Sequence, residues 1–165
     1  MKFFTRLGDG MVFVPLIVLA LLFRFRYAIE LAMMGIFLTL LVNLLKQVVF
    51  TDTERPKRFF QGIAELNFVQ GIDMHGLNSF PSGHTATASA IALLIALEWK
   101  NKTAVFAGLT FAVLIGFSRI YLAQHFLRDV VFGYLVGIIV AAAAFYIAKA
   151  TLRSYSFADK SLIRS

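Results

Sequence analysis

Apolar residues run in five blocks along the chain, at roughly 11–23, 28–49, 84–98, 103–122 and 129–149. Short polar connections separate them, except for one long polar interval at about 51–81. A helix needs about 20 mainly apolar residues to cross the hydrocarbon core of a bilayer. The second, fourth and fifth blocks meet that requirement. The third reaches it by extending through Trp99, a natural interfacial anchor, and the first by starting near Gly10 and snorkelling Arg24 and Arg26. The pattern predicts an all-α, polytopic transmembrane helix bundle with five spans, forming a single domain over 1–165. The interval 51–81 becomes an extramembrane loop, and there is no internal repeat or low-complexity tract.

Composition agrees. The chain is 59% hydrophobic and 15% charged, against about 45–50% and about 25% in soluble domains. A secretory signal is the alternative for the first block, with Lys2 and Arg6 as its basic lead. Asp9 interrupts that lead, and no small-residue cleavage site follows. The absence of cysteine excludes disulfides, thiolate zinc sites and thiol chemistry. The net charge of +7 lies largely in the connections, where it sets topology or meets anionic headgroups. No basic domain with interleaved aromatics speaks for nucleic acid.

With alternating spans, lysines and arginines divide eight to eight between the two membrane faces. One face, however, also carries the residues assigned to chemistry below. Discounting those cations places the C-terminus in the cytoplasm and the long loop outside. Five spans then leave the N-terminus outside, which predicts a further helix upstream of the first.

Three polar clusters fall on that same face. They are Lys46 with Arg55-Pro56, the run Pro81-Ser82-Gly83-His84 at the start of the third block, and "SRIYLAQHFLRD" at 118–129. Ionisable groups at membrane depth are costly, so their default reading is functional. Lys46, Arg55 and Arg119 supply cations suited to phosphate oxygens. Ser82 is a favoured N-cap, and the Gly83 and His84 amides would face an anion at the positive end of the helix, with Gly83 allowing close approach. His125 and Asp129 are four apart and share a helical face. The carboxylate would fix the imidazole tautomer and leave the other nitrogen free to attack, while His84 protonates the leaving oxygen. This is the chemistry of phosphoryl transfer through a phosphohistidine. Asp52, Glu54 and Asp73 form no metal-ligand pattern, so neither a metal nor another cofactor is expected.

In these motifs the chain resembles the phosphatidic acid phosphatase type 2 / vanadium haloperoxidase superfamily, in its membrane lipid phosphatase branch. The family pattern is Lys-x6-Arg-Pro, then Pro-Ser-Gly-His, then Ser-Arg-x5-His-x3-Asp. The last two are matched by Pro81-Ser82-Gly83-His84 and by Ser118-Arg119, His125 and Asp129. Lys46 precedes Arg55 by eight intervening residues rather than six. The resemblance implies His125 as nucleophile, His84 as acid and Asp129 as orienting carboxylate, with Lys46, Arg55, Ser82, Gly83 and Arg119 holding phosphate. It also implies a six-helix fold, an extracytoplasmic site at a bacterial inner membrane, and no metal. The opening "FFTRLGDGMVFVPL" resembles the lead into the second family helix, consistent with an upstream first helix.

The function so implied is hydrolysis of a lipid phosphomonoester or diphosphate. Candidate substrates are polyprenyl diphosphate, phosphatidic acid, phosphatidylglycerol phosphate and lipid A phosphates. Membrane lipids are the other expected partners, and no oligomeric state is implied. The rivals are a phosphotransferase that passes the phosphate to a lipid or sugar acceptor, a haloperoxidase, which the apolar spans disfavour, and a non-catalytic scaffold, which the intact histidines disfavour. Among the remaining polar residues, His75 reads as a solvated loop residue and Ser118 as a helix hydrogen bonder. Lys57, Arg58 and Arg128 read as headgroup-facing charges. Asn43 reads as the donor of an interhelical hydrogen bond, and Phe59, Phe60, Ile63 and Leu66 as a short interfacial helix over the site.

Overall fold

The computed structural model describes residues 1–64, 69 and 75–163. Every one of the five apolar blocks is helical. A short helix, α1 (Lys2–Leu7), precedes a 3₁₀ turn at Gly10–Val12 and α2 (Phe13–Phe23). The Asp9 carboxylate caps that turn by accepting from the Met11 amide at 3.0 Å. Then come α3 (Phe25–Leu44), α4 (Pro56–Phe59), α5 (Gly83–Trp99), α6 (Lys102–Tyr121) and α7 (Leu127–Leu152). A π-helical turn, Leu45–Val49, extends α3.

Among the described residues, three helical segments are long and apolar enough to cross a membrane: Phe25–Val49, Lys102–Tyr121 and Leu127–Leu152. The other two predicted spans fold as shorter helices. The Gly10–Phe23 helix stops where Arg24 turns extended, and α5 stops where Lys100 adopts a left-handed conformation. At 1.5 Å per residue α5 is about 25 Å long, slightly less than the ~30 Å core.

Its central position explains why α5 can be short. Its "TATASAIA" stretch is buried from Thr85 to Ala92, because small side chains let neighbouring helices approach closely. The tightest approach is by α7. A Cβ at Gly133 would overlap the Thr85 hydroxyl and the Ser82 carbonyl, and one at Gly137 would overlap the Ala86 carbonyl and the Ser89 hydroxyl. Around this crossing Met34, Leu38, Ala86, Ala90, Val136, Val140 and Ala144 form the core. Outward positions such as Leu40, Phe106 and Ile139 remain exposed and apolar, as lipid-facing surfaces must.

The two ends of the bundle differ in chemistry. At one end Arg26 donates to Glu30 at 2.8 Å and to Glu98 at 3.0 Å, tying the start of α3 to the end of α5. The segment after α7 returns to this end, where the Phe25 amide donates to the Lys160 carbonyl and the Leu162 amide to the Leu21 carbonyl. The opposite end gathers the His84 end of α5, the α6–α7 connection and the segment after α3.

Gly137→Leu should therefore drive α5 and α7 apart at a point with no room to relax, a cost of at least 1–3 kcal/mol. A fall of several degrees in the detergent-solubilised melting temperature is expected, whereas the lipid-facing Ile139→Ala should leave it nearly unchanged.

Candidate active site

Asp129 sits in the first turn of α7, fully buried, and its Oδ2 is the hub of the site. Oδ2 accepts from the Ser79 hydroxyl at 2.5 Å and from the Phe126 amide at 3.0 Å. The same oxygen lies 3.5 Å from His125 Nδ1, and the Ser79 hydroxyl is also 3.5 Å from that nitrogen. Nδ1 therefore faces the carboxylate and the hydroxyl, which leaves Nε2 as the free nitrogen. The Arg128 guanidinium, itself exposed, lies 3.4 Å from the other carboxylate oxygen. Asp129 also fixes α5, since its carbonyl accepts from the Ser82 amide at 3.0 Å.

Burial pushes the His125 imidazole down to about 4. The Asp129 contact opposes the shift, and Arg55, Arg119 and Lys46 reinforce it. A neutral imidazole at physiological pH is what a nucleophile requires.

Two arginines form the opposite wall. Arg55, at the N-cap of α4, donates from Nε to the Leu77 carbonyl at 2.9 Å and from Nη1 to Gln124 Oε1 at 3.0 Å. Arg119, in the last turn of α6, reaches the same Gln124 oxygen at 3.4 Å through Nη2. Its Nη1 donates to the Thr5 hydroxyl of α1. Gln124 thus aligns both guanidinium forks through one oxygen. Burial draws the Arg55 guanidinium below its ordinary value while Asp129 pulls it back up. A guanidinium remains charged regardless.

Lys46 enters from the π-helical turn. The Phe50 amide bonds the Leu45 carbonyl across five residues, and such a turn holds one residue more than an α turn. The longer Lys46–Arg55 spacing noted in the sequence includes this bulge. Lys46 accordingly lies within electrostatic reach of Arg55, Arg119 and Asp129. His84, in the first turn of α5, lies within reach of Lys46, Arg55, Arg119 and His125. All eight residues singled out in the sequence therefore converge on one site.

Ser82 departs from expectation in one respect. It occupies the N-cap position of α5, yet its side chain makes no cap bond. Its hydroxyl is fully buried and has no partner among the described residues, and the same holds for Nε of Arg119. Buried donors are rarely left orphaned. Here two of them border a site that, among the described residues, gathers Lys46, Arg55 and Arg119 around Asp129, with Asp9 acting on Arg119, and both fit the oxygens of a tetrahedral anion.

The sequence reading missed Ser79, Gln124 and Thr5. The first two lie directly inside or beside the quoted motifs, where their hydroxyl and amide were the available signal. Thr5 had none, because nothing in the sequence shows that α1 folds back onto α6. Of the other expectations, His75 is exposed and Ser118 bonds within its own helix, donating to the Ile115 carbonyl at 2.6 Å. Arg58 pairs with Glu54 at 3.1 Å. Phe59 and Phe60 stack at 5.5 and 6.4 Å on Phe126, next to His125. Leu66 and Asp73 lie outside the described residues. Asn43 makes no interhelical hydrogen bond among the described residues, contrary to expectation.

A family profile described as the PAP2 superfamily matches residues 26–153. Among curated proteins, the lipid A 1-phosphatase of Porphyromonas gingivalis is 42% identical over 78 residues, which are 46% of this chain and 18% of that protein. The crystal structure of Aquifex aeolicus LpxE is similar at 32% identity and a TM-score of 0.69, covering 88% of this chain and 82% of that one. That of a transmembrane PAP2-type phosphatidylglycerolphosphate phosphatase from Bacillus subtilis is similar at 26% identity and a TM-score of 0.66, covering 94% and 76%. The chain spans less than half the length of the curated relatives it matches.

If the orphaned donors and the three cations form an oxyanion site, orthovanadate should raise the melting temperature of the detergent-solubilised protein by mass action. Arg119→Ala, which removes one fork and one orphaned donor, should weaken vanadate binding at least tenfold. A shift of equal size in wild type and variant would contradict the assignment.

Proposed function

The chain belongs to the PAP2 superfamily, and on that premise we propose that it is a membrane phosphatase hydrolysing a lipid phosphomonoester or diphosphate through a phosphohistidine. The observation that carries this reading is the His125–Asp129–Ser79 chain set opposite two buried donors without partners among the described residues and an excess of cations over carboxylates there. A lipid phosphate is the one ligand that supplies the missing negative charge and also arrives through the membrane.

In the first step His125 Nε2 attacks phosphorus, and the bond to the lipid oxygen breaks. His84, which burial and the surrounding cations keep neutral before substrate binds, takes up a proton when the negatively charged phosphate binds beside it and gives that proton to the departing oxygen. Asp129, buttressed by the Ser79 hydroxyl, holds the Nδ1 proton and stabilises the imidazolium character that develops. Lys46, Arg55, Arg119, the Ser82 hydroxyl and the Gly83 amide hold the equatorial oxygens, whose charge is spread in the transition state. In the second step water attacks the phosphoryl group and gives its proton to His84. Phosphate then leaves and both histidines return to their starting states. The cations meet the phosphate charge directly, so the proposed reaction needs no metal.

The segment 51–81 serves in this reading as the loop over the site. It supplies Arg55, Ser79 and the Leu77 and Asn78 carbonyls that receive the Arg55 fork. The names of the relatives span lipid A and phosphatidylglycerol phosphate chemistry, which supports a substrate among the lipid phosphates. The distribution of lysines and arginines favours a site on the extracytoplasmic face of a bacterial inner membrane.

Phosphate release from a panel of lipid phosphates should persist in EDTA and fall by at least a thousandfold in His125→Ala. Release abolished by EDTA, or unchanged in the variant, would overturn the reading. Asp129→Asn should lower kcat by 10²–10⁴ while leaving KM within a few fold, as the loss of an orienting carboxylate does elsewhere. The acid limb is a further check. Attack needs neutral His125, whose depressed value keeps it neutral at pH 5 and lets it protonate only near about 4. Measured in His84→Ala on a phosphate ester whose leaving group needs no acid, and with the substrate's own second ionisation near pH 6 divided out, kcat/KM should fall through pH 4 rather than through pH 6.5.

A further inference from the structure

One polar side chain on the membrane-facing side of α3 has no role in the chemistry above. Asn43 is exposed within the span, near the apolar and equally exposed Leu40 and Leu44. Among the described residues nothing hydrogen-bonds its amide. An amide facing hydrocarbon without a partner is expensive, so a position of this kind needs a ligand to justify it.

The surroundings of Asn43 provide a place for one. A cavity of about 200 Å³ is lined by Thr39, Val42, Asn43, Gly83, His84 and Thr87. It therefore borders both the α5 N-terminus, where phosphate is held, and the lipid-facing surface of α3. The Thr39 hydroxyl already donates to the Gly35 carbonyl at 2.8 Å, so toward the cavity it offers only lone pairs. Asn43 is then a donor at this depth. Thr39, Phe13 and Gly10 also line a second cavity, an apolar groove of about 400 Å³ between α2 and α3. A molecule with its phosphate at Lys46 would place its next few atoms beside Asn43 and its hydrocarbon in the groove.

We propose that Asn43 reads an acyl carbonyl one helical turn below the phosphate, and so selects glycerol- or sugar-based acyl lipid phosphates over polyprenyl ones. Three residues separate Asn43 from Lys46, about 4.5 Å along the helix axis. In a diacylglycerol phosphate the chain from phosphorus runs through oxygen and two carbons to an ester oxygen and its carbonyl. In a 2-acylamido sugar 1-phosphate it runs through oxygen and two ring carbons to an amide nitrogen and its carbonyl. The two chemistries place the acceptor at the same bond count from phosphorus. A polyprenyl diphosphate offers only hydrocarbon beyond its phosphates, and would leave the Asn43 amide buried against it without a partner. The inference deepens the phosphatase reading and rests on it.

The test uses the purified full chain in detergent and two phosphatidic acids of equal chain length, one with ester-linked and one with ether-linked chains. The ether lipid lacks both carbonyls and retains the phosphate. Wild type should prefer the ester lipid in kcat/KM by about three- to tenfold, the scale of one neutral hydrogen bond. Asn43→Leu should abolish that preference by slowing only the ester lipid. Undecaprenyl diphosphate should be turned over at a rate that Asn43→Leu does not lower. Each comparison is a ratio measured on one preparation, so partial misfolding of the variant does not affect it. A wild type indifferent to the carbonyls would overturn the inference, as would a preference that survives the substitution, and the phosphatase reading would still stand. Failure of wild type to release phosphate from any of the three lipids would overturn that reading as well.

Discussion

Buried positive charge is the constraint on which the rest of the structure depends. Lys46, Arg55 and Arg119 converge at the candidate-site end of the bundle, where, among the described residues, Asp129 is already committed to Ser79, the Phe126 amide and His125, and Asp9 acts on Arg119 alone. A protein interior tolerates such an imbalance only where a counter-charge arrives from outside or where fixed dipoles hold the cations. The second device is present: the Leu77, Asn78 and Gln124 carbonyls and the Gln124 amide oxygen receive the Arg55 fork. The first belongs to the proposed function, in which the Ser82 hydroxyl and Arg119 Nε, without partners among the described residues, bind phosphate oxygens.

The scaffold keeps that arrangement from relaxing. Helices α5 and α7 meet through Gly133 and Gly137 at a distance no side chain permits, so His84 on one helix and Asp129 on the other have little freedom to separate. The Asp129 carbonyl binds the Ser82 amide, coupling the two helix starts directly. At the far end the Arg26–Glu30–Glu98 cluster ties α3 to α5, and Lys46 is carried on α3. A preorganised site of this kind stabilises developing charge without reorganising during the reaction.

Much of this was legible in the sequence. The five apolar blocks are five helices, and Pro-Ser-Gly-His and Ser-Arg-x5-His-x3-Asp lie where their spacing placed them. Local rules suffice there, because hydrophobic runs and helix starts are encoded within a few residues. Long-range contacts were not legible. The fold-back of α1 that brings Thr5 to Arg119 joins residues 114 positions apart, and the Ser79–Asp129 bond joins residues 50 apart. The short spans were legible as well: the first block runs from the Gly10 turn to Phe23 and stops at Arg24, and α5 ends at Trp99. The π-helical turn takes up one of the two extra residues between Lys46 and Arg55, a feature that residue counting cannot foresee. Asn43 was expected to bond a neighbouring helix, but the neighbour it faces is a cavity.

The central claim is covalent attack by His125, and it is tested most directly by trapping the intermediate. A lipid phosphate should be mixed with the purified protein, quenched in alkali to preserve a phosphorus–nitrogen bond, and the protein digested for mass spectrometry. The account predicts a phosphoryl adduct on His125 that forms within one turnover and is lost on brief acid treatment. Turnover with no adduct on His125, or with an acid-stable adduct on Ser82 in its place, would contradict it.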